Sequence, residues 1–346
     1  LYQVIWQRLL GLVSGVDLYS VTLVVAVFML GMGLGSVAGG RLADRLKPGQ
    51  LLLVFAVAEL VVAACALASV PVYLGVFYER AAQTAASSPL LGVLAASTLL
   101  VPTFCMGVTL PVLSKAVVES PRDASDRIAG LYGWNTLGAA AGAWVGSAYL
   151  VRSLGYEQSL KVGAGLNTLC ACAAALLAWR LKSRLAAVST PMPMTAIEQQ
   201  APAAANVQWP WAVWPAVYAT SGFIALGLEM AWFRMLGVAL KSTAYTFPLL
   251  LGFYLTGVAC GSLVGRKLGS RLRRPLDWFL AAQAGIGLWA GVSIALLLWS
   301  VRNLASFAAA RRYLGSYEPI EFVFNFGDLG WPQLALYVLV PAWLIL

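Results

Sequence analysis

Runs of about twenty apolar residues, separated by short charged segments, recur along the whole chain. About twenty residues of α-helix span the hydrocarbon core of a bilayer, so each run predicts a membrane-crossing helix. The first apolar segment, residues 1–13, is too short to cross, and a tenth run is still in progress at Leu346. Eight complete spans are predicted, at about 18–40, 51–70, 90–118, 128–151, 160–179, 211–240, 244–265 and 276–301.

The composition favours a membrane protein over a soluble helical core. Hydrophobic residues make up 60% of the 346 and charged residues 11%, with a mean hydropathy of +0.80. Soluble domains carry roughly 25% charged residues. A soluble core would also need polar faces at helical spacing, and the apolar runs have none. The chain is therefore predicted to be an all-α membrane protein.

The net charge of +9 predicts an orientation in the membrane rather than a nucleic-acid partner. Lys and Arg form short clusters between the spans instead of one basic face, which is the pattern of topology signals. The clusters follow the second, fourth, sixth and eighth spans. This side is predicted to be cytoplasmic, together with the N-terminus and the central linker. The lipid bilayer is the expected partner, and nucleic acid is not.

Metal and cofactor chemistry finds no support in the residue types present. The chain has no His, which excludes a His-based metal site or catalytic triad in these residues. All five Cys residues lie inside apolar runs, where small buried apolar side chains are the expected role. No catalytic residue, metal site or cofactor site is predicted in the visible residues.

The chain repeats itself at an offset of 226 residues. Trp6-Gln7-Arg8-Leu9-Leu10-Gly11 returns as Trp232-Phe233-Arg234-Met235-Leu236-Gly237. The same offset pairs Tyr19 with Tyr245 and Gly31 with Gly257. Coincidence accounts for matched Leu and Ala, but hardly for Trp, Arg, Tyr and Gly in one register. The duplication predicts two halves of common origin.

The duplication also predicts the architecture. Six spans per half is an even number, so both halves insert in the same direction, as in the parallel repeat of major facilitator transporters. We expect an N-terminal bundle at 1–182, a cytoplasmic linker at 183–210 and a C-terminal bundle at 211–346. About ten spans are visible. The repeat indicates that the first and last are truncated and that more spans follow Leu346.

A charged loop after the second span is a candidate gate. Gly40-Arg41-Leu42-Ala43-Asp44-Arg45 resembles the loop signature of major facilitator transporters. Gly40 permits a tight helix exit, and Asp44 can cap a helix or pair with a basic residue, holding one conformation of the bundles. An ordinary charged loop is the other interpretation of Gly40, Asp44 and Arg45. The second copy lacks the acid, which argues against a symmetric gate.

Two carboxylates inside predicted spans are the main candidate site residues. Glu59 lies in the third span and falls opposite Gln283 in the other half, at an offset of 224, and Glu229 lies in the seventh span opposite Gln3, at an offset of 226. A charge at mid-membrane costs about 2.5–3.5 kcal/mol, so both acids should face the protein interior or carry a proton. They are either a cation or proton site on the pseudo-twofold axis or protonated groups hydrogen-bonded between helices. Asn135 could likewise bind substrate or link helices.

Several segments resemble one bacterial family, the fused major-facilitator/spermidine-synthase proteins. The segments that carry the resemblance are residues 2–10, 35–44, 106–111, 131–139 and 228–234, the fourth being Leu131-Tyr132-Gly133-Trp134-Asn135-Thr136-Leu137-Gly138-Ala139. The resemblance implies a bacterial inner-membrane protein and a cytoplasmic domain beyond residue 346. That domain would be similar to polyamine aminopropyltransferases, which use decarboxylated S-adenosylmethionine. Gln3 departs from the Glu that the resemblance leads us to expect.

Three functions follow from these observations. The first is a transporter-like membrane half that moves a small cationic metabolite such as a polyamine. The second is a membrane anchor for an aminopropyltransferase-like enzyme domain. The third is a non-transporting scaffold that binds other membrane subunits. A wet central cavity would favour transport, and a dry apolar centre would favour the scaffold.

Overall fold

The computed structural model describes residues 1–14, 17–79, 89–118, 121–187, 213–240, 246–269, 275–315 and 338–345. Every regular element in this part of the chain is helical. The N-terminal half contains α1 (Tyr2–Ser14), α2 (Asp17–Ala43), α3 (Pro48–Pro71), α4 (Pro89–Ser97), α5 (Leu100–Val117), α6 (Pro121–Val145) and α7 (Val151–Ala187). The C-terminal half contains α8 (Val213–Ala239), α9 (Thr246–Gly269), α10 (Pro275–Asn303), α11 (Ala308–Gly315) and α12 (Val340–Ile345). Wider π-helical turns extend α3 over Val72–Tyr78 and join α6 to α7 over Gly146–Leu150.

The helices are those of a multi-pass membrane protein. Seven helical stretches of the described residues are long and apolar enough to cross a bilayer. One of them, Ala124–Leu181, has 58 residues, about 87 Å of helix, far more than a bilayer core of roughly 30 Å. Gly155 divides it, because its φ of 75° lies in the left-handed region and ends the regular helix. The two segments correspond to the predicted fifth and sixth spans.

Pro102 and Pro111 predict a bend in the fourth span, and the irregularity that is present lies just before Pro102. Thr98 and Leu99 form a turn between α4 and α5. Pro102 has no backbone N–H to donate to Thr98, four residues earlier, and its ring crowds that carbonyl. The Tyr73 hydroxyl stabilises the break by donating a hydrogen bond to the Ala95 carbonyl at 2.8 Å. Pro111 stays inside α5.

Glycines bring α2 and α5 into backbone contact. Side chains added at Gly35 and Gly39 would run into the backbone of Phe104 and Val108, and one at Gly107 into that of Met32. This is the small-residue packing that the spacing of Gly31, Gly35 and Gly39 predicts. Gly138, Gly142 and Gly146 have the same spacing and predict a second close contact, but Gly142 and Gly146 face Leu1 whereas Gly138 has open space beside it.

Two predicted irregular segments are partly helical. The polar and aromatic stretch 302–331, after the ninth span, predicts a loop, but Ala305–Phe307 is a 3-10 turn and α11 follows it. Arg311 explains the fold there, because it donates hydrogen bonds to the carbonyls of Val301 and Leu304 at 2.7 and 3.1 Å at the end of α10, groups that the helix leaves unpaired. The linker predicted at 183–210 begins later, since α7 continues to Ala187. Residues 188–212 lie outside the described part.

An apolar cluster joins the two halves. Val4, Val21, Val25 and Ala143 of the N-terminal half pack with buried residues of α8 and α9. The C-terminal members include Trp232, Phe233, Leu236, Leu240, Phe247, Leu250 and Leu251. The contact between the halves is therefore apolar along this cluster.

Candidate functional site at the contact between the halves

The longest contact between the halves is an antiparallel pairing of α6 with α9. Trp144 packs edge-on against Phe253, with 4.8 Å between ring centroids, and lies directly over Gly252. Its indole N–H donates to the Thr256 hydroxyl at 3.4 Å. Further along, Gly133 gives Leu263 room to approach. Glycine on alternate sides of the interface allows the close packing that drives helix association in lipid.

An ion pair closes one end of this interface. The Arg266 guanidinium of α9 donates two hydrogen bonds to the Asp126 carboxylate of α6, both at 2.8 Å. This planar two-point geometry is specific to Arg with a carboxylate. Eighteen residues of α6 separate Asp126 from Trp144, about 27 Å of helix, so the interface spans nearly a whole bilayer core. The pair lies at the end of the molecule that carries the basic clusters, called the basic end below.

Glu229 is the most deeply buried carboxyl group of the described residues, with 3% of its surface exposed. It lies on α8, and the adjacent Leu228 and Met230 pack against the cluster that joins the halves. The described residues supply no salt bridge to Glu229. A buried carboxylate without a basic partner is unfavourable unless it takes a proton or a cation.

A tyrosine hydroxyl, that of Tyr254, lies near the Glu229 carboxyl. Tyr254 of α9 lies within electrostatic range of Glu229, and also of Tyr132 on α6 and Tyr218 on α8. Tyr132 and Tyr218 are exposed, whereas Tyr254 is half-buried. Carboxylate and aromatic groups together suit an organic cation, because tyrosine rings attract a positive charge over their faces.

Glu59 has different neighbours inside the N-terminal half. It is half-buried on α3, within electrostatic range of the Tyr2 hydroxyl and the Cys170 thiol. The Tyr2 hydroxyl also donates to the Asn167 side-chain carbonyl at 3.3 Å. Glu59 thus belongs to a polar group between α1, α3 and α7. The two acids share none of these neighbours, and a common site on the axis stays a prediction.

The remaining candidates are dispersed. The Gln283 amide on α10 donates to the Ser221 hydroxyl of α8 at 2.8 Å, so it links two helices of the C-terminal half. Gln3 is half-buried on α1, and Asn135 is exposed on α6. Asn135 lies one helical turn from Tyr132, on the helix that contacts α9.

The loop after α2 forms its ion pair within one half. The Asp44 carboxylate accepts a hydrogen bond from the Lys115 ammonium of α5 at 3.1 Å, and both side chains are exposed. Asp44 therefore pairs with a basic residue, one of the two roles that its position predicts. Gly40 and Arg45 flank this pair at the end of α2.

Sequence reasoning missed the ion pair that does cross between the halves. Arg266 was counted only as a topology signal, and Asp126 was not singled out. The two residues are 140 positions apart, so no local pattern connects them. The sequence does place the two residues on the same side of the membrane. Asp126 lies at the start of one span, and Arg266 belongs to the basic cluster at the end of another.

Comparison of the chain with protein-family models, with curated proteins and with solved structures found no match. The chemistry of the site therefore rests on the residues described above.

Proposed function

We propose that the chain is the transporter-like part of a membrane protein of the major facilitator type, moving a small organic cation such as a polyamine. The observation that carries this proposal is Glu229, a buried carboxyl group beside the contact between the halves, with the Tyr254 hydroxyl nearby and no salt bridge to it among the described residues. A cation that reaches this position gains a carboxylate, and a tyrosine ring beside it adds to the attraction.

Equal burial at repeat-related positions supports two like-oriented halves. Residues 226 apart are both buried at Trp6 and Trp232, and at Leu10 and Leu236. Further buried pairs are Ser20 and Thr246, Val21 and Phe247, Val24 and Leu250, and Val25 and Leu251. The offset also relates the helix ends, since α2 ends at Ala43 and α9 at Gly269. Parallel repeats of this kind rock about a site between them.

The α6–α9 interface provides the contact about which such rocking would occur. In this proposal the helices tilt about the apolar, glycine-containing centre, and the Asp126–Arg266 pair links them at the basic end only while that end is closed. Both side chains are exposed, so water solvates them when the helix ends separate, and breaking the pair costs little free energy. The proposed orientation puts the basic end in the cytoplasm of a bacterial cell, because basic loops favour that side.

The resemblance to the fused major-facilitator/spermidine-synthase family supports the choice of a polyamine. The resemblance also supports a role as an anchor, in which these membrane helices hold an aminopropyltransferase-like domain at the membrane. The enzyme, its decarboxylated S-adenosylmethionine and the polyamine product would then meet at the cytoplasmic face.

A scaffold is the second candidate, and the apolar cluster between the halves favours it. Trp232, Phe233 and Leu236 in this cluster offer no polar side chain to a solute that crosses the membrane between the halves. In addition, α10 exposes large apolar side chains, among them Trp278, Leu288 and Trp299, over most of its length. These could contact other membrane subunits as well as lipid.

Uptake by proteoliposomes tests the proposal. Purified protein reconstituted into liposomes should take up radiolabelled spermidine with saturable kinetics, and excess unlabelled spermidine should compete. Protein-free liposomes give the background. Uptake equal to that background, with the gradient of protons or of Na⁺ imposed in either direction, would refute transport and leave the scaffold.

A further inference from the structure

A groove lies on the N-terminal half, and none of its lining residues belongs to the apolar cluster that joins the halves. Its volume is ≈ 350 Å³. The end of α3 and the following turn provide one wall, with Leu67, Val70, Pro71 and Leu74. The start of α7 provides the other, where Leu160 lies between the charged side chains of Glu157 and Lys161. The groove therefore has an apolar floor and a charged mouth.

Exposed tyrosines put the mouth of the groove at the membrane surface. Tyr78, Tyr149 and Tyr156 are exposed around the same ends of the helices. Tyrosines of this kind form a belt at the boundary between lipid and water. The wall from Ala66 to Leu74 follows about 12 Å of helix from that level toward the bilayer centre. The groove thus runs parallel to the lipid chains that surround it.

The charged mouth contains one positive and one negative group side by side. The Lys161 ammonium donates to the Glu157 carboxylate at 2.7 Å, and both side chains are about half exposed. An exposed pair of this kind contributes little to stability, so Lys161 and Glu157 can separate and bind a ligand at a small cost in free energy. A ligand that carries both an anionic and a cationic group can bind both side chains.

We propose that this groove binds a membrane phospholipid with a zwitterionic, ammonium-bearing headgroup, phosphatidylethanolamine in chemical class. The phosphate accepts hydrogen bonds from Lys161, the ammonium donates to Glu157, and the start of one acyl chain lies along Leu67, Val70 and Leu74. An anionic headgroup satisfies Lys161 but leaves Glu157 facing negative charge. A fatty acid leaves Glu157 without a new partner.

Native mass spectrometry of the full chain tests this inference. The probes are palmitoyl-oleoyl phosphatidylethanolamine and palmitoyl-oleoyl phosphatidylglycerol, added in equal amounts to the detergent-purified protein. We expect one phosphatidylethanolamine to be retained several-fold more than phosphatidylglycerol. Glu157→Lys should reverse the preference, and Glu157→Gln should abolish it, because the carboxylate that selects the ammonium is gone.

Filling the groove gives an independent test with a matched control. Leu67→Trp puts an indole into the groove from its exposed side and should reduce retention of phosphatidylethanolamine several-fold. Leu60→Trp is two helical turns away on the same exposed face of α3 and outside the groove, so it should leave retention unchanged. Equal retention in Leu67→Trp and the unchanged protein would overturn the inference, as would equal retention of both headgroups by the unchanged protein.

Discussion

Gly35→Ala is expected to destabilise the protein by about 1–3 kcal/mol, the usual cost of overpacking, or more. The added methyl group would collide with the Phe104 carbonyl oxygen and would lie 3.0 Å from the Gly107 Cα. Both neighbours are backbone atoms of α5, so no side-chain rotation relieves the contact. The helices must move apart, and the packing that holds α2 to α5 is lost.

Gly33→Ala on the same helix is the matched control. Gly33 has no atom within 4 Å of an added methyl group. Alanine is the better helix former, so this change should stabilise the protein by about 0.5–1 kcal/mol or leave it unchanged. Thermal unfolding in detergent, followed by circular dichroism, measures both variants. Equal unfolding temperatures for Gly35→Ala and Gly33→Ala would contradict the close approach of α2 and α5.

Glu229→Gln is expected to lower spermidine uptake roughly ten- to a hundredfold. Hydrogen bonds to charged groups contribute about 1.5–3 kcal/mol, and removal of the negative charge takes that contribution away from a bound cation. Glutamine keeps the shape of the side chain, so the fold should survive. Initial rates of uptake into proteoliposomes, at equal protein per liposome, measure the effect.

The same substitution at two other glutamates shows whether the effect at Glu229 is specific or follows from the loss of any negative charge. A site shared by both acids predicts that Glu59→Gln also abolishes uptake. A structural role beside Tyr2 and Cys170, within the N-terminal half, predicts that this variant keeps most of its activity. Glu79→Gln, at an exposed position, is the control for reconstitution. Unchanged uptake by Glu229→Gln would remove Glu229 from the proposed site.

The helical architecture could be predicted from the sequence because apolar run length and glycine spacing are local properties. The span predicted at 18–40 lies within α2. The span predicted at 244–265 lies within α9, apart from residues 244 and 245, which are outside the described part. The glycines at 31, 35 and 39 predict a close helix contact, although not that α5 is the partner. The break at Gly155 falls in the gap between the spans predicted at 128–151 and 160–179, although the apolar pattern does not single out Gly155 itself.

The candidate site could be predicted only in part. The burial of a residue follows from the sequence around it, whereas its contacts with other helices do not. A lone Glu within an apolar run identifies Glu229 as buried, yet its neighbour Tyr254 comes from another helix, α9. The ion pair of Asp126 with Arg266 and the groove at Leu67 and Lys161 depend on how distant helices pack. Sequence patterns within one span contain no information about either.

The 226-residue repeat predicts two halves with the same orientation in the membrane. The most direct test measures, by electron paramagnetic resonance, the membrane depth of nitroxide labels attached to single cysteines introduced one at a time. The five native cysteines, which are free, are first replaced. Leu12 and Val238 are repeat-related and exposed, and so are Leu42 and Leu268 at the other ends of the adjoining helices.

We predict that labels at 12 and 238 lie at equal depth near one membrane face, and that labels at 42 and 268 lie at equal depth near the opposite face. Agreement should be within about one helical turn, 5.4 Å. Labels at 12 and 238 on opposite sides of the membrane, or at depths differing by more than this, would contradict the parallel repeat and the site built on it.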